Sequence, residues 1–398
     1  VVALLEEARD ALLASALTEP QQRLLAELLA RFNGYLTNMR PDRSAELAVE
    51  ALETARRVGD GRSLALALIY STQSYALDRA EYSSRLREAA QLAEEAGDVE
   101  LVLVANSNLM AAALMWADRD EFDRRLAEYA RVATALGTPT PLVLSAIDHA
   151  GAAAIDGRYD DARTQLLEAL RRSERLGDPN LRRNVAAGMA PINRELGRLA
   201  RRIDAYRRDA SNGSHAWREA GLIWVLAEAG QFDEANGRLD ALLVRPDELL
   251  AGFLRRYSLV VLAEAAGTLG HVDAAARLVP WLIDELASGE CVILGPNTFF
   301  GSVRRYLGLL TLTLGRADDA VHHHEAALAI HERMRARGWA ARSRYDLTRA
   351  LLARGCPGDA ERAAALADEA RRAADELGMP KLLEEIAALE LATAGSAD

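Results

Sequence analysis

An all-α fold of stacked helical hairpins is the class this chain predicts, and three observations predict it. Glycines recur about every forty residues: Gly59, Gly97, Gly137 and Gly177 each close an Ala/Leu-rich segment, and a second series, Gly157, Gly197, Gly230, Gly270, Gly315 and Gly355, interleaves with them. A glycine between two helical patterns marks a helix C-terminus, because it enters the left-handed region at no steric cost, and two interleaved series at this period describe a repeat array. Half of the residues are apolar but only 5% are aromatic, so the core is made of Ala, Leu, Val and Ile, the composition of closely packed helices. The pattern runs almost end to end through the 398 residues with no Pro- or Ser-rich linker, so a single domain, 1–398, is expected, with N-terminal repeats in 1–196 and C-terminal repeats in 197–398.

Taken in order, helices are expected to end at Gly59, Gly97 and Gly137, and from there a turn motif makes the unit plain. It reads Gly157-Arg-Tyr-Asp-Asp-Ala162, Gly230-Gln-Phe-Asp-Glu-Ala235, Gly270-His-Val-Asp-Ala-Ala275 and Gly315-Arg-Ala-Asp-Asp-Ala320. In each, the glycine closes the first helix, an Asp is expected to cap the second, and the alanine stands where two helices approach closely. The motif resembles the tetratricopeptide hairpin turn. A second helix is expected over 161–176, and Asp178-Pro179 then supplies an N-cap followed by proline at the first helical position. The hairpins of about 40 residues exceed the tetratricopeptide period of about 34, so each helix gains nearly a turn, and a right-handed superhelical solenoid is expected. Two spacings break the pattern: 33 residues from Gly197 to Gly230 and 45 from Gly270 to Gly315, the excess falling in Gly289 to Thr298, where Gly289, Gly295 and Pro296 predict a loop.

Charge and cysteine content exclude several classes. The net charge of −11 repels phosphate backbones and anionic headgroups, so direct nucleic-acid or membrane binding is not expected. Two cysteines, Cys291 and Cys356, are too few for a disulfide framework and fit a reducing cytoplasm. No apolar run approaches the ~18 residues of a membrane span, and Val1–Asp10 already carries four charges. Helical periodicity that begins without an initiator methionine suggests a piece of a longer protein. Lys381 is the only lysine among many arginines, which mutational bias explains; a functional claim for an arginine therefore needs position rather than abundance.

Catalytic motifs are missing. With Lys381 followed by Leu382 there is no phosphate-cradling loop, and Gly59-Asp-Gly61 is followed by Leu64 where a dinucleotide fingerprint needs glycine. The cluster His322-His323-His324-Glu325 fails the His-Glu-x-x-His pattern at Leu328, and His331 stands about 10 Å further along a helix from His324, so surface or packed histidines are expected and no metal. No nucleophile elbow or Cys/His pair points to an enzyme, and no cofactor is called for.

Aligned on the turn glycines, the first helix of each hairpin offers a recurring inner wall, as it does in tetratricopeptide repeats. The positions about 13, 10 and 6 before the glycine give Trp217 and Trp224, Tyr257 and Glu264, Ser302 and Arg305, then Arg342, Tyr345 and Arg349, with Asn184 and Arg194 from the preceding hairpin. A groove lined by Trp217, Trp224, Tyr257, Arg305, Arg342, Tyr345 and Arg349 can bury an apolar body while guanidinium groups grip a carboxylate or phosphate. The competing account is that Trp217 and Trp224 fill the core and the arginines snorkel to water. Alanine at Arg305, Arg342 and Arg349 is expected to abolish ligand-dependent stabilisation with helicity intact.

From Trp217 to Met379, Gly301-Ser-Val-Arg-Arg-Tyr-Leu-Gly308, Gly315-Arg-Ala-Asp-Asp-Ala320, Glu325-Ala-Ala-Leu328, Ala341-Arg-Ser-Arg-Tyr-Asp346 and Leu351-Leu-Ala-Arg354 resemble the C-terminal tetratricopeptide-like region of large bacterial signalling ATPases. These are the LuxR-type regulators built like the maltose-regulon activator, and relatives carrying a nucleotide-cyclase domain. His324 departs from the pattern, which has Phe there, and no helix-turn-helix follows Met379. The resemblance implies a non-enzymatic sensor region that binds a small inducer or a partner protein and controls an NTPase module outside this chain. A free-standing scaffold that takes a partner peptide or helix in its groove is the alternative, and homo-oligomerisation stays open.

Overall fold

The computed structural model describes residues 1–14, 16–37, 40–72, 77–213, 215–251 and 254–394. These residues form α-helices and one small β-hairpin, and their contacts divide them into two units. The first takes in Val1–Ala113 and Glu121–Pro141, the second Leu114–Asp120, Leu142–Leu250 and the chain from Leu254 on.

The first unit holds α1 (Val2–Leu13), α2 (Glu19–Leu36), α3 (Pro41–Val58), α4 (Gly61–Ser71), α5 (Arg79–Glu95), most of α6 (Val99–Met115) and most of α7 (Arg119–Leu136). Asp60 caps α4 by accepting from the Ser63 amide at 2.9 Å. Arg62 ties α4 to its neighbours through Glu27 and through Asp98 at 2.7 Å.

In the second unit, α8 (Pro139–Ile155) pairs with α9 (Tyr159–Leu176), and α10 (Pro179–Glu195) is followed by a 3-10 turn, Ala200–Arg202, and the short α11 (Ile203–Ser211). Then come α12 (Ala216–Glu228), α13 (Phe232–Leu243), α14 (Pro246–Leu250), α15 (Arg255–Leu269) and α16 (Val272–Glu285). Strands β1 (Cys291–Ile293) and β2 (Phe299–Ser302) precede α17 (Val303–Thr313), α18 (Ala317–Arg333), α19 (Arg337–Arg354), α20 (Asp359–Glu376) and α21 (Pro380–Ala394).

All ten glycines of the two series have φ between +64° and +84°, so the ruler read from the sequence marks real helix ends. Ala162, Ala235, Ala275 and Ala320 are fully buried, as the close approach at each turn requires. Asp178 caps α10 with Pro179 behind it. The second-helix caps are corrected: α9, α13, α16 and α18 begin after Arg158, Gln231, His271 and Arg316, so the motif's Asp lies in the first turn. There it answers the positive end of the helix dipole rather than a single amide, and His271 itself accepts from the Ala274 amide at 3.2 Å.

Both spacing anomalies have structural causes. The short interval ends up in α11, nine residues long where other second helices run to 18. The long interval holds the hairpin, which corrects the expected loop over 289–298: β1 and β2 pair antiparallel, Cys291 opposite Ser302 and Ile293 opposite Phe299, with a bulge between. Ser302, expected on a helical wall, ends β2 and caps α17 through the Arg304 amide.

A linear repeat array packs each unit only on its neighbours. Here one core cluster joins Val143, Ile147, Tyr159, Leu166, Leu181, Val185 and Ile192 of α8 to α10 with Ala341, Ala370, Ala374, Met379, Leu382 and Ile386 of α19 to α21. The second unit therefore closes on itself, its last helices against its first. At Gly338 a Cβ would overlap the Tyr159 hydroxyl, so this contact between α9 and α19 depends on glycine.

Candidate functional site

Six helices, α10, α12, α15, α17, α19 and α21, turn their polar residues toward one another. Along α15 and α17 almost every residue is buried, because these helices are packed on several sides and read as apolar all round. A charge set inside such a wall needs partners nearby.

Arg194 of α10 meets Glu228 at 2.7 Å, its neighbour Glu195 at 3.2 Å, and Glu264 of α15. Arg305 of α17 donates to the other oxygen of Glu264 at 2.5 Å and to Asp346 of α19 at 2.6 Å. Arg342 of α19 grips Glu195 through two bonds of 3.0 and 2.7 Å and reaches Glu385 of α21 at 2.8 Å. Lys381, the sole lysine, stands 3.9 Å from both Glu228 and Glu385. Burial pushes the Glu264 carboxyl up, but Arg194 and Arg305 outweigh it and hold it well below the usual carboxylate range. Arg342 is likewise held charged against its burial by Glu195 and Glu385.

The expectation of an open wall is therefore corrected at Arg305 and Arg342, each 1% exposed and saturated by carboxylates. Alanine there strands buried charge, so the fold cannot be expected to survive untouched. Arg349 and Tyr345 are half-buried, with the Arg349 guanidinium 5.8 Å from the Tyr345 ring centre. Trp217 is half-buried, stacked on His215 at 6.4 Å and under Arg218 at 5.0 Å. Trp224 and Tyr257 are buried and belong to the hairpin: Phe300 of β2 packs edge-on to both, at 6.4 and 5.3 Å. For Trp224 the core-filling account holds, Trp217 only edges the same core, and Tyr257 is buried in it where an open wall was expected.

The hairpin occupies the interior where a groove was expected. Buried Arg256 anchors its base through the carbonyls of Ser288, Gly289 and Cys291 at 3.0, 3.0 and 3.2 Å. Tyr306 donates to the Phe300 carbonyl at 2.6 Å. Its tip passes so close to α8 that a Cβ at Gly151 would overlap the Asn297 carbonyl. Beside the tip, Tyr159, Pro191, Glu195, Asn297, Phe299 and Trp339 border a cavity of about 20 Å³, room for a water molecule.

The histidines separate by environment. His322 is exposed, while His324 is fully buried against Gly308 with no hydrogen bond to either ring nitrogen. His331 accepts from the Ser302 amide at Nε2 (2.9 Å), which leaves the proton on Nδ1 to donate to Ser343 Oγ at 2.9 Å. Among the described residues no three His, Cys, Asp or Glu side chains are grouped to hold a metal ion. Burial lowers His324 from 6.5 to about 4, and burial together with Arg305 lowers His331 to about 3. The unfolded chain then takes up protons first as pH falls. Stability is full above about 6.5 and is lost as pH drops toward 4 for His324 and 3 for His331, with His324 alone accounting for about 3 kcal/mol. Urea midpoints measured from about pH 7 to about pH 4 should fall accordingly, and more shallowly for His324→Phe; superimposable curves for the two proteins would refute this origin.

The glycine ruler found Arg194, Glu264, Arg305 and Arg342, but missed Glu195, Glu228, Asp346, Glu385 and the use of Lys381. Glu195 and Glu228 carried a signal: each ends its helix, where a carboxylate opposes the helix dipole and calls for a cation.

No protein-family model matches the chain, and no curated protein is similar to it. Among solved structures it is similar to a "circular tandem repeat protein with novel repeat topology and enhanced subunit contact surfaces", at 16% identity and a TM-score of 0.15, over 97% of this chain and 92% of that one. Among the described residues no helix is long and apolar enough to cross a membrane. On its own helices and turn glycines, the chain is a helical repeat protein.

Proposed function

We propose that the chain is the tetratricopeptide-like sensor region of a bacterial signal-transduction ATPase of the LuxR-type transcription activators, cytoplasmic and without a catalytic centre, and that it binds a protein rather than a small molecule. The observation that carries this is how the inner faces are spent. Arginines and carboxylates saturate one another, and Phe300 of the hairpin packs on Trp224 and Tyr257 where the groove was expected. That favours a macromolecular partner met on the outside. The non-enzymatic part is supported by His331, both of whose nitrogens are engaged, and by Cys291, whose thiol burial pushes up.

Helix α21 supplies a means of regulation. Lys381 and Glu385 are its contributions to the buried charges, and its apolar face closes the array on α10. A partner that draws α21 away breaks these pairs and opens the array, a two-state change that an adjoining NTPase can sense. In the full-length gene product, removing this region is expected to change the basal NTPase rate about tenfold, and native mass spectrometry should show the polypeptide mass alone. A stoichiometric co-purified organic molecule, or an unaltered NTPase rate, would overturn the reading.

A further inference from the structure

Several exposed arginines of this protein pair with a carboxylate three or four residues away on their own helix, as in Arg23 with Glu19, Arg31 with Glu27, Arg131 with Glu128 and Arg171 with Glu168. In the 3-10 turn and α11 the spacing is there, with Asp204 three residues from Arg201 and four from Arg208, but neither pair forms. Residues 198–209 carry five arginines and two aspartates in a chain of net charge −11, and the second aspartate, Asp209, is taken by Arg218. Arg207 crosses to Glu234 of α13, but Arg198, Arg201, Arg202 and Arg208 have no carboxylate partner among the described residues.

The segment is also two-faced. Ile203, Tyr206 and Ala210 pack on the core beneath, while Arg201, Arg202 and Arg208 are exposed. Arg208 lies on α11, the second helix cut to nine residues, and Arg201 and Arg202 lie on the 3-10 turn that leads into it.

We propose that this arginine face of the 3-10 turn and α11 is a docking surface for a short acidic segment of a partner protein. The inference names the partner's chemistry for the binding reading given above and rests on it. Unpaired guanidinium groups take carboxylates through parallel N–H donors, and an exposed patch with a surplus of positive charge steers such a segment in. Size selects the class of partner. Nine residues span about 14 Å of helix, which a few acidic side chains cover. A nucleic-acid duplex or a lipid surface runs past it onto a surface that is acidic overall.

The test uses the intact chain and a fluorescein-labelled oligoglutamate peptide, read by anisotropy at low and physiological salt. Binding is expected, weakening as salt rises, and falling by at least about tenfold in Arg201→Glu/Arg202→Glu/Arg208→Glu. The control, Arg56→Glu/Arg57→Glu, reverses two exposed arginines on α3 and is expected to bind like the parent. All substituted side chains are exposed, so circular dichroism and melting should match. No binding, an equal loss in the control, or stronger binding to oligothymidylate or phosphatidylserine vesicles overturns the proposal. Any of these leaves the effect on the NTPase rate untouched, so the two readings fail separately.

Discussion

Arg305→Ala is expected to destabilise the second unit by ~3–5 kcal/mol, the range for removing one partner of a buried ion pair. The guanidinium is 1% exposed and holds Glu264 at 2.5 Å and Asp346 at 2.6 Å. Its loss leaves Asp346 without its cation and Glu264 dependent on Arg194 alone. Neither carboxylate can turn to water, so each must protonate or drag the surroundings open. Arg349→Ala, at a half-buried residue over the Tyr345 ring, is expected to cost under about 1 kcal/mol. Urea unfolding followed by circular dichroism at neutral pH separates the two through their midpoints, provided the slopes agree. A ligand-gripping pair of arginines on an open wall would give similar small losses for both, and that result would remove the buried charges from the account. The triple change Arg305→Met/Glu264→Leu/Asp346→Leu should cost less than Arg305→Ala, since no lone charge is left behind.

What the sequence made legible was local. A glycine that ends a helix acts within a few residues, and the alanine at each turn answers one neighbouring helix, so the ruler and the turns could be read directly. The same ruler located Arg305 and Arg342 on inner helix faces, because helical spacing fixes which side a residue takes. Which way that side finally points was not local. Arg342 meets Glu195, 147 residues earlier in the chain, only because the turn of each hairpin relative to the last adds up to closure. That sum depends on small angles, which α11 and the hairpin both perturb. The hairpin itself was hidden for another reason. Strands of three and four residues are too short to show a two-residue period, and Gly295 and Pro296 read as a loop. His324 was legible only as one of a run of histidines on a helix, expected to be packed or on the surface. Its neutral, unpaired burial followed only from the packing of α18 on Gly308.

Gly338→Ala tests closure, because its sign differs between an open array and a closed one. Gly338 is the second residue of α19 and its φ is not positive, so alanine fits the helix and, facing solvent, would add up to about 1 kcal/mol through helix propensity. In the closed unit Gly338 is buried against Tyr159, and a Cβ would overlap the hydroxyl. Backbone and ring must then part, at a cost of ~1–3 kcal/mol. Tyr159→Phe removes the overlapping oxygen and alone should cost under about 1 kcal/mol. Combined with Gly338→Ala it should recover part of the loss, since the ring carbon behind the oxygen is still 2.9 Å from the new methyl. A coupling of ~0.5–3 kcal/mol is therefore expected from the double-mutant cycle. Additive effects, or a stabilising Gly338→Ala, would mean that α19 does not rest on α9. Arg342 would then lose its route to Glu195, and the closing role of α21 would go with it.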